Sequence, residues 1–295
     1  MLMMATMNNP VIPGWYADPE LHLFHGRYYL YPTYSDLYEK QTFFDGFESE
    51  DLVHWTKHPR ILDFVDVPWS TMRAAWAPTI TERDGTYFMY FGAGDGAGLG
   101  VATAKSPMGP FKDALGHPLI KEYINGAQPI DAHAYIDDDG QAYLYYGGWR
   151  HANVVKLGRD MISTEGEFHE ITPEHYVEGP FMVKRKGIYY FMWSEGSWGD
   201  TSYGVAYAKA KSPLGPFVRQ GHILTGDPEI GTSAGHHSVM QIPGKEEWYI
   251  AYHRRPVGET ARDHRVVCID RMYFDKNGDI KPVKITKEGV KARRP

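Results

Sequence analysis

One pattern recurs five times along this chain and restricts its fold more than any other feature. It is a short strand, a turn holding a glycine, and a second strand rich in aromatic residues. "ADPELHLFHGRYYLY" begins at Ala17, "APTITERDGTYFMYFG" at Ala77, "DAHAYIDDDGQAYLYYGG" at Asp131, "EGPFMVKRKGIYYFMWSEG" at Glu178 and "HHSVMQIPGKEEWYIAYHRR" at His236. The turn glycines Gly26, Gly85, Gly140, Gly187 and Gly244 are 59, 55, 47 and 57 residues apart. Aromatic runs between turn formers read as strands, and strand repeats at this spacing read as propeller blades. Five copies predict an all-β, five-bladed β-propeller.

The outer parts of the repeats echo one another too: "AKSPMGPF" (Ala104 to Phe111) returns as "AKSPLGPF" (Ala210 to Phe217). Long amphipathic helical runs, linkers and low-complexity segments are absent. The expectation is one domain over residues 1–295, with residues 1–10 a loose strap and the basic tail "KARRP" solvated. At 295 residues and 42% hydrophobic, the chain has ample material for a core. The net charge of -6 offers no basic field for a nucleic acid. No run approaches the roughly 18 apolar residues of a membrane span. The single cysteine, Cys268, cannot form an internal disulfide and reads as a buried apolar residue. The start "MLMMATMNNP" has neither the basic segment nor the apolar run of an export signal. As the sequence stands it reads as cytoplasmic, although a removed signal would leave no trace.

In a propeller the first strand of each blade lines the central axis, so equivalent residues of the five blades converge. Counting back eight or nine positions from each turn glycine gives Asp18, Ala77, Asp131, Glu178 and His236. An acid beside proline or glycine is ordinarily a turn former, as Asp137, Asp138 and Asp139 are expected to be. Convergence at one repeat position sets Asp18, Asp131 and Glu178 apart. Carboxyls crowded in a cleft raise one another's pKa, which suits acid/base chemistry.

The motifs "YADP" (Tyr16 to Pro19), "WAPTI" (Trp76 to Ile80), "IDAHAYIDDDG" (Ile130 to Gly140), "VEGPF" (Val177 to Phe181) and "GHHSV" (Gly235 to Val239) resemble glycoside hydrolase family 43. That family comprises five-bladed propeller hydrolases of pentose-containing polysaccharides, and the resemblance covers nearly the whole chain. It implies that Asp18 is the general base, Glu178 the general acid, and Asp131 a third acid that orients and tunes Glu178. Inverting hydrolysis needs such a pair about 6.5 to 9.5 Å apart. The resemblance also implies a central calcium ion held largely by water, with His236 as its main protein contact, or His237 if the register slips by one. A lone histidine is otherwise usually a hydrogen-bonded core residue, and no zinc motif is present.

By the same resemblance, Arg265 matches by position an arginine that in that family reaches the sugar and the acid. Arg254 and Arg255 are its rivals, and a surface salt bridge is the ordinary role for all three. Trp76 is placed either to stack on a sugar or to fill the core between blades. Trp69, Trp149, Trp193 and Trp198 are expected where loops leave the inner hairpins, on the leaving-group side. The invertase-like hydrolases share the first acid but carry "NDPNG", "RDP" and "EC" motifs; here "ADPEL" stands first, "RDP" is missing and Gly179 follows Glu178. The expected function is therefore an inverting glycosidase releasing terminal xylose or arabinofuranose from xylo- or arabino-oligosaccharides. An endo-arabinanase and a non-catalytic carbohydrate-binding propeller are the alternatives.

Overall fold

The structure, a computed structural model, describes residues 6–295. The first blade comprises β1 (Tyr16–Phe24), β2 (Arg27–Tyr34), β3 (Phe43–Ser49) and β4 (Trp55–Asp63). The second comprises β5 (Trp76–Arg83), β6 (Thr86–Ala93), β7 (Gly98–Ala104) and β8 (Lys112–Asp113), and the third β9 (His133–Ile136), β10 (Ala142–Tyr146), β11 (Asn153–Leu157) and β12 (Thr164–Glu170). In the fourth are β13 (Glu178–Arg185), β14 (Ile188–Glu195), β15 (Gly204–Ala210) and β16 (Val218–Thr225), and in the fifth β17 (Thr232–Gln241), β18 (Trp248–Arg255) and β19 (Val266–Met272). Every sheet is antiparallel, with strands paired in sequence order. The chain is a five-bladed β-propeller. Among the described residues no helix is long and apolar enough to cross a membrane.

The inner hairpins explain the repeating glycine. His25 and Gly26, Asp84 and Gly85, and Lys186 and Gly187 all have φ between 48° and 78°. Two successive positive φ values make the two-residue turn whose twist matches the strands, and glycine adopts the second without strain. The aromatic second strands explain the packing. Side chains of a strand alternate between faces, and here both faces are apolar. Tyr29 and Tyr31 of β2 face the second blade while Tyr28 and Leu30 face the fifth. Phe88 and Tyr90 of β6 likewise pack towards the third blade, and Tyr87, Met89 and Phe91 towards the first. The same alternation in β10, β14 and β18 yields five hydrophobic clusters, one between each neighbouring pair of blades. Cys268 is buried in the cluster between the fourth and fifth blades.

The leading segment corrects the expectation of a loose strap, whereas the tail "KARRP" is solvated as expected except at Arg293. Residues 1–5 lie outside the described residues, but Asn9 Oδ1 accepts the Ile269 amide at 2.9 Å and its Nδ2 donates to Thr286 O at 3.0 Å. The Val11 amide donates to Val267 O at 2.9 Å, so the leading segment runs along the outer edge of the three-stranded fifth blade. That joins the two ends of the chain in one blade. In the tail, Val290 is buried between the fifth and first blades and Arg293 grips Glu247 with two bonds of 2.9 and 3.0 Å. The unpaired amides of an edge strand and a buried valine are satisfied together, which a solvated strap could not achieve.

Candidate active site

The first strand of four of the five blades is interrupted at one equivalent place. Pairing register shifts between Ala17 and Glu20, Trp76 and Thr79, Glu178 and Phe181, and Gly235 and Ser238. At the interruption the backbone turns to positive φ: 50° at Asp18, 46° at Ala77, 65° at Gly179, 42° at His236, and 58° at Asp131 just ahead of β9. For a residue other than glycine such a conformation costs about 1–3 kcal/mol and persists only where its surroundings enforce it. The surroundings here are side chains from the neighbouring blade. The Asp18 amide donates to His253 Nδ1 at 3.1 Å, the Ala77 amide to Thr33 Oγ1 at 2.7 Å, and the His236 amide to Ser194 Oγ at 3.0 Å.

Gly179, and not Glu178, therefore stands where Asp18, Asp131 and His236 stand. Counting from turn glycines misplaced Glu178 by one because the hairpin after Asp131 is longer than the two-residue turns. Glu178 instead matches Trp76 in pairing register: it faces Ser194 as Trp76 faces Gly92. It still reaches the same cluster. Asp131, Glu178 and His236 each offer a nitrogen or oxygen within 4.8 Å of the others. His236 Nδ1 lies 3.1 Å from Asp18 Oδ1 and 3.9 Å from Asp131 Oδ2. The four side chains line one end of a cavity of about 240 Å³, walled by Trp76, Trp198, Gln128 and Arg265 among others. A larger hollow of about 600 Å³ between Arg185 and Lys276 contains none of these three acids and lies against the β13–β14 turn of the fourth blade.

The environments of the carboxyls differ. Burial would raise Asp18, but the charges of His236 and Arg265 and the hydrogen bond from His236 hold it well below the usual carboxylate range. Burial pushes Glu178 upward, with repulsion from Asp18 adding to it, against the pull of His236 and a hydrogen bond from Tyr203. Asp131 rises to about 7 through burial and the nearby charges of Glu178 and Asp18. His236 loses stability as a cation by burial, yet Asp18 and Asp131 outweigh that and raise it to about 9. One carboxylate is thus kept ionised while the buried pair Asp131 and Glu178 favours holding a proton.

Arg265 is buried rather than in a surface salt bridge. Its Nε donates to Ser35 Oγ at 2.9 Å, its Nη1 lies 3.6 Å from Asp18 Oδ1, and its guanidinium sits 4.4 Å over the Trp198 ring. Arg254 turns away to Tyr252 and Thr286, and Arg255 donates to the Trp198 carbonyl. Trp76 is half-buried in the cavity wall, its Nε1 donating to Gln41 Oε1 at 2.6 Å. Of the other tryptophans, Trp149 and Trp198 border the cavity, whereas Trp193 is fully buried against Glu195 and Trp69 packs on Phe91. His237 faces Met192 Sδ and no carboxylate, so no slip in register is needed.

Sequence reading missed Tyr38, Gln41, Asp95 and Gln128 in the cavity wall, and two residues that touch the acid and the base. Tyr203, just ahead of β15, donates its phenol proton to Glu178 Oε2 at 2.9 Å. His253, on β18, holds the Asp18 amide and stacks on Tyr203. A signal for His253 did exist: with Thr33 and Ser194 it faces the interrupted stretch of its own blade's first strand and catches the amide of the next blade.

The profile of Glycosyl hydrolases family 43 matches residues 7–280. The chain belongs to this family. It is 57% identical over 97% of its length to a β-D-galactofuranosidase of Aspergillus niger, of which it covers 87%. It is 30% identical over 92% of its length to a xylosidase/arabinosidase of Humicola insolens, covering 98% of that protein. Among solved structures, an α-L-arabinofuranosidase of Clostridium thermocellum superposes with a TM-score of 0.76 at 33% identity, covering 93% of this chain and 95% of that one. A family 43 enzyme of Xanthomonas citri complexed with xylotriose gives 0.79 at 26% identity, covering 99% and 97%. As a family 43 member the chain is a glycoside hydrolase acting on carbohydrate.

Asp131, Glu178 and His236 stand close enough together to share one cation, offering two carboxylate oxygens and one imidazole nitrogen. Carboxylate oxygens are the ligands a hard cation prefers, and two such groups lie within 4.8 Å of the imidazole. Because Nδ1 is engaged by Asp18, Nε2 is the nitrogen available to a metal, and a carboxylate on the far nitrogen is the usual support for a ligating histidine.

Proposed function

We propose that the chain is an inverting, exo-acting glycosidase that removes single terminal sugars, with a furanoside as the preferred ring. The observation that carries this reading is one cavity in which Asp18 lies 3.1 Å from His236 Nδ1 and 3.6 Å from Arg265 Nη1, while Glu178 has only the Tyr203 hydroxyl on its Oε2, so that Asp18 is held as the carboxylate and Glu178 is pushed towards its protonated form. Asp18 takes a proton from water as the water oxygen attacks the anomeric carbon. Glu178 gives its proton to the departing glycosidic oxygen as the bond breaks, and Asp131 opposes early loss of that proton. A cation bound through His236 would supply positive charge beside the three acids.

β-D-Galactofuranose and α-L-arabinofuranose share the configuration of their ring carbons and differ in the exocyclic arm, so one ring-binding cavity suits both. The Aspergillus niger galactofuranosidase and the Clostridium thermocellum arabinofuranosidase support that pairing. Terminal β-xylose is the second reading, favoured by the xylosidase/arabinosidase relative. The cavity is small, which favours a terminal residue over a chain lying through it.

The test is a panel of 4-nitrophenyl β-D-galactofuranoside, α-L-arabinofuranoside and β-D-xylopyranoside, with the anomer of the first product followed by NMR. Cleavage of the furanosides with inversion is expected. A faster xyloside moves the assignment to the second reading. Retention overturns the mechanism, and binding of all three without turnover makes the protein a lectin.

A further inference from the structure

Tyr203 comes from the connection between β14 and β15 of the fourth blade, yet its hydroxyl ends on the candidate acid, and three features hold it there. The ring is 2% exposed. It stacks on His253, with centroids 5.6 Å apart and planes 11° from parallel. It also fills the space left by Gly235, where a Cβ would lie 2.3 Å from Tyr203 Cδ2 and Cε2. Gly235 is not among the positive-φ residues, so the glycine serves the tyrosine ring rather than the backbone. In pairing register Gly235 corresponds to Glu178 and Trp76, so one blade gives up its side chain at that place to admit a phenol to the acid of its neighbour.

We propose that Tyr203 is a positioning residue for proton donation: its O–H donates to Glu178 Oε2, which confines the acid's own proton to Oε1. The inference rests on Glu178 being the acid. Protonated Glu178 has one carbonyl-type and one hydroxyl oxygen. A donor fixed on Oε2 makes Oε2 the carbonyl, and leaves Oε1–H for the leaving group. As the glycosidic C–O bond breaks, its electron pair goes to the departing oxygen, which takes the Oε1 proton. Glu178 is left as a carboxylate. A phenol bonded to a carboxylate is a charge-assisted donor, stronger than the same bond to a neutral acid, so the contact tightens as the transition state forms. Its benefit is therefore greatest where proton transfer is most advanced, with poor leaving groups.

Tyr203→Phe removes only the hydroxyl and keeps the ring on His253. The measurement is kcat and KM for glycosides of the sugar cleaved fastest, carrying 2,4-dinitrophenol, 4-nitrophenol, phenol and methanol as leaving groups, with Glu178→Gln run alongside. For Tyr203→Phe we expect kcat to fall about tenfold to a hundredfold with methanol, the size of a hydrogen bond to a charged group, and less than about threefold with dinitrophenol. KM should stay unchanged. Gly235→Ala, which pushes the ring off its seat, should show the same leaving-group slope. Equal losses across the series, or none, with a steep series for Glu178→Gln, overturn the role of Tyr203 alone. A flat series for Glu178→Gln overturns the assignment of the acid, and the inference with it.

Discussion

His236 Nδ1 stands 3.1 Å from Asp18 Oδ1, joining the first and fifth blades across the seam where the propeller closes. Both residues sit at the strained turn of their first strands, so their approach is set by backbone held in place and not by flexible side chains. With Arg265 Nη1 at 3.6 Å on the same oxygen, Asp18 faces two cationic groups and stays a carboxylate.

Asp18→Asn should abolish turnover whatever the leaving group, because no second ionised carboxylate is poised to take the proton of water. A loss of at least about a thousandfold in kcat is expected for activated and natural substrates alike. Residual activity within about tenfold of wild type in a steady-state assay would remove Asp18 from the role of base.

Removal of a bound cation should lower activity without unfolding the protein. The imidazolium of His236 already supplies one positive charge when no metal is present, so the loss on EDTA treatment is expected to be partial and reversed by calcium. His236→Ala should lose both the activity and the calcium response. Indifference to EDTA, with no calcium found by elemental analysis of the untreated protein, would leave the imidazolium as the sole counter-charge of the acids.

Glu20 predicts an acid limb in stability. It is buried, and its Oε1 accepts from His22 Nε2 at 2.6 Å, Thr79 Oγ1 at 2.8 Å and the Ile80 amide at 3.0 Å. Burial would raise this carboxyl, but the imidazoles of His133 and His22 hold it down to about 2 from its ordinary 4.5. A carboxyl depressed in the folded state adds stability above pH 4.5 and loses it as the pH falls towards 2. Urea midpoints at pH 7, 4 and 3 should show wild type well above Glu20→Gln at pH 7, with the gap closing on acidification. A constant gap would mean that Glu20 acts by packing alone.

Phe91→Ala should destabilise by about 3–5 kcal/mol. The ring is fully buried between the first two blades, against Phe44, Phe64 and Trp69. Chemical denaturation gives the number, and a change under about 1 kcal/mol would show that the neighbouring aromatic rings close the cavity.

The five blades were legible because turn chemistry and strand alternation are local. A glycine at a two-residue hairpin and apolar residues on both faces of the next strand leave the same trace in each repeat, whatever lies far away in the chain. Asp18, Asp131 and His236 could be gathered for the same reason, since each occupies one repeat position. Glu178 was reached with its register wrong by one, because the longer hairpin after Asp131 makes the count nine there, whereas a count of eight in the other blades ends on Gly179. Tyr203 was out of reach, and His253 was marked only by its equivalence to Thr33 and Ser194. Their place at the acid and the base depends on the angle between adjacent blades and on the room made by Gly235, which are set only when five separate cores pack around one axis. The pinned leading segment belongs to the same class, because Asn9 and Ile269 meet only when the ring closes. Local sequence specifies what each blade is; contacts across the gaps between blades decide which side chains meet at the centre and which protons they hold.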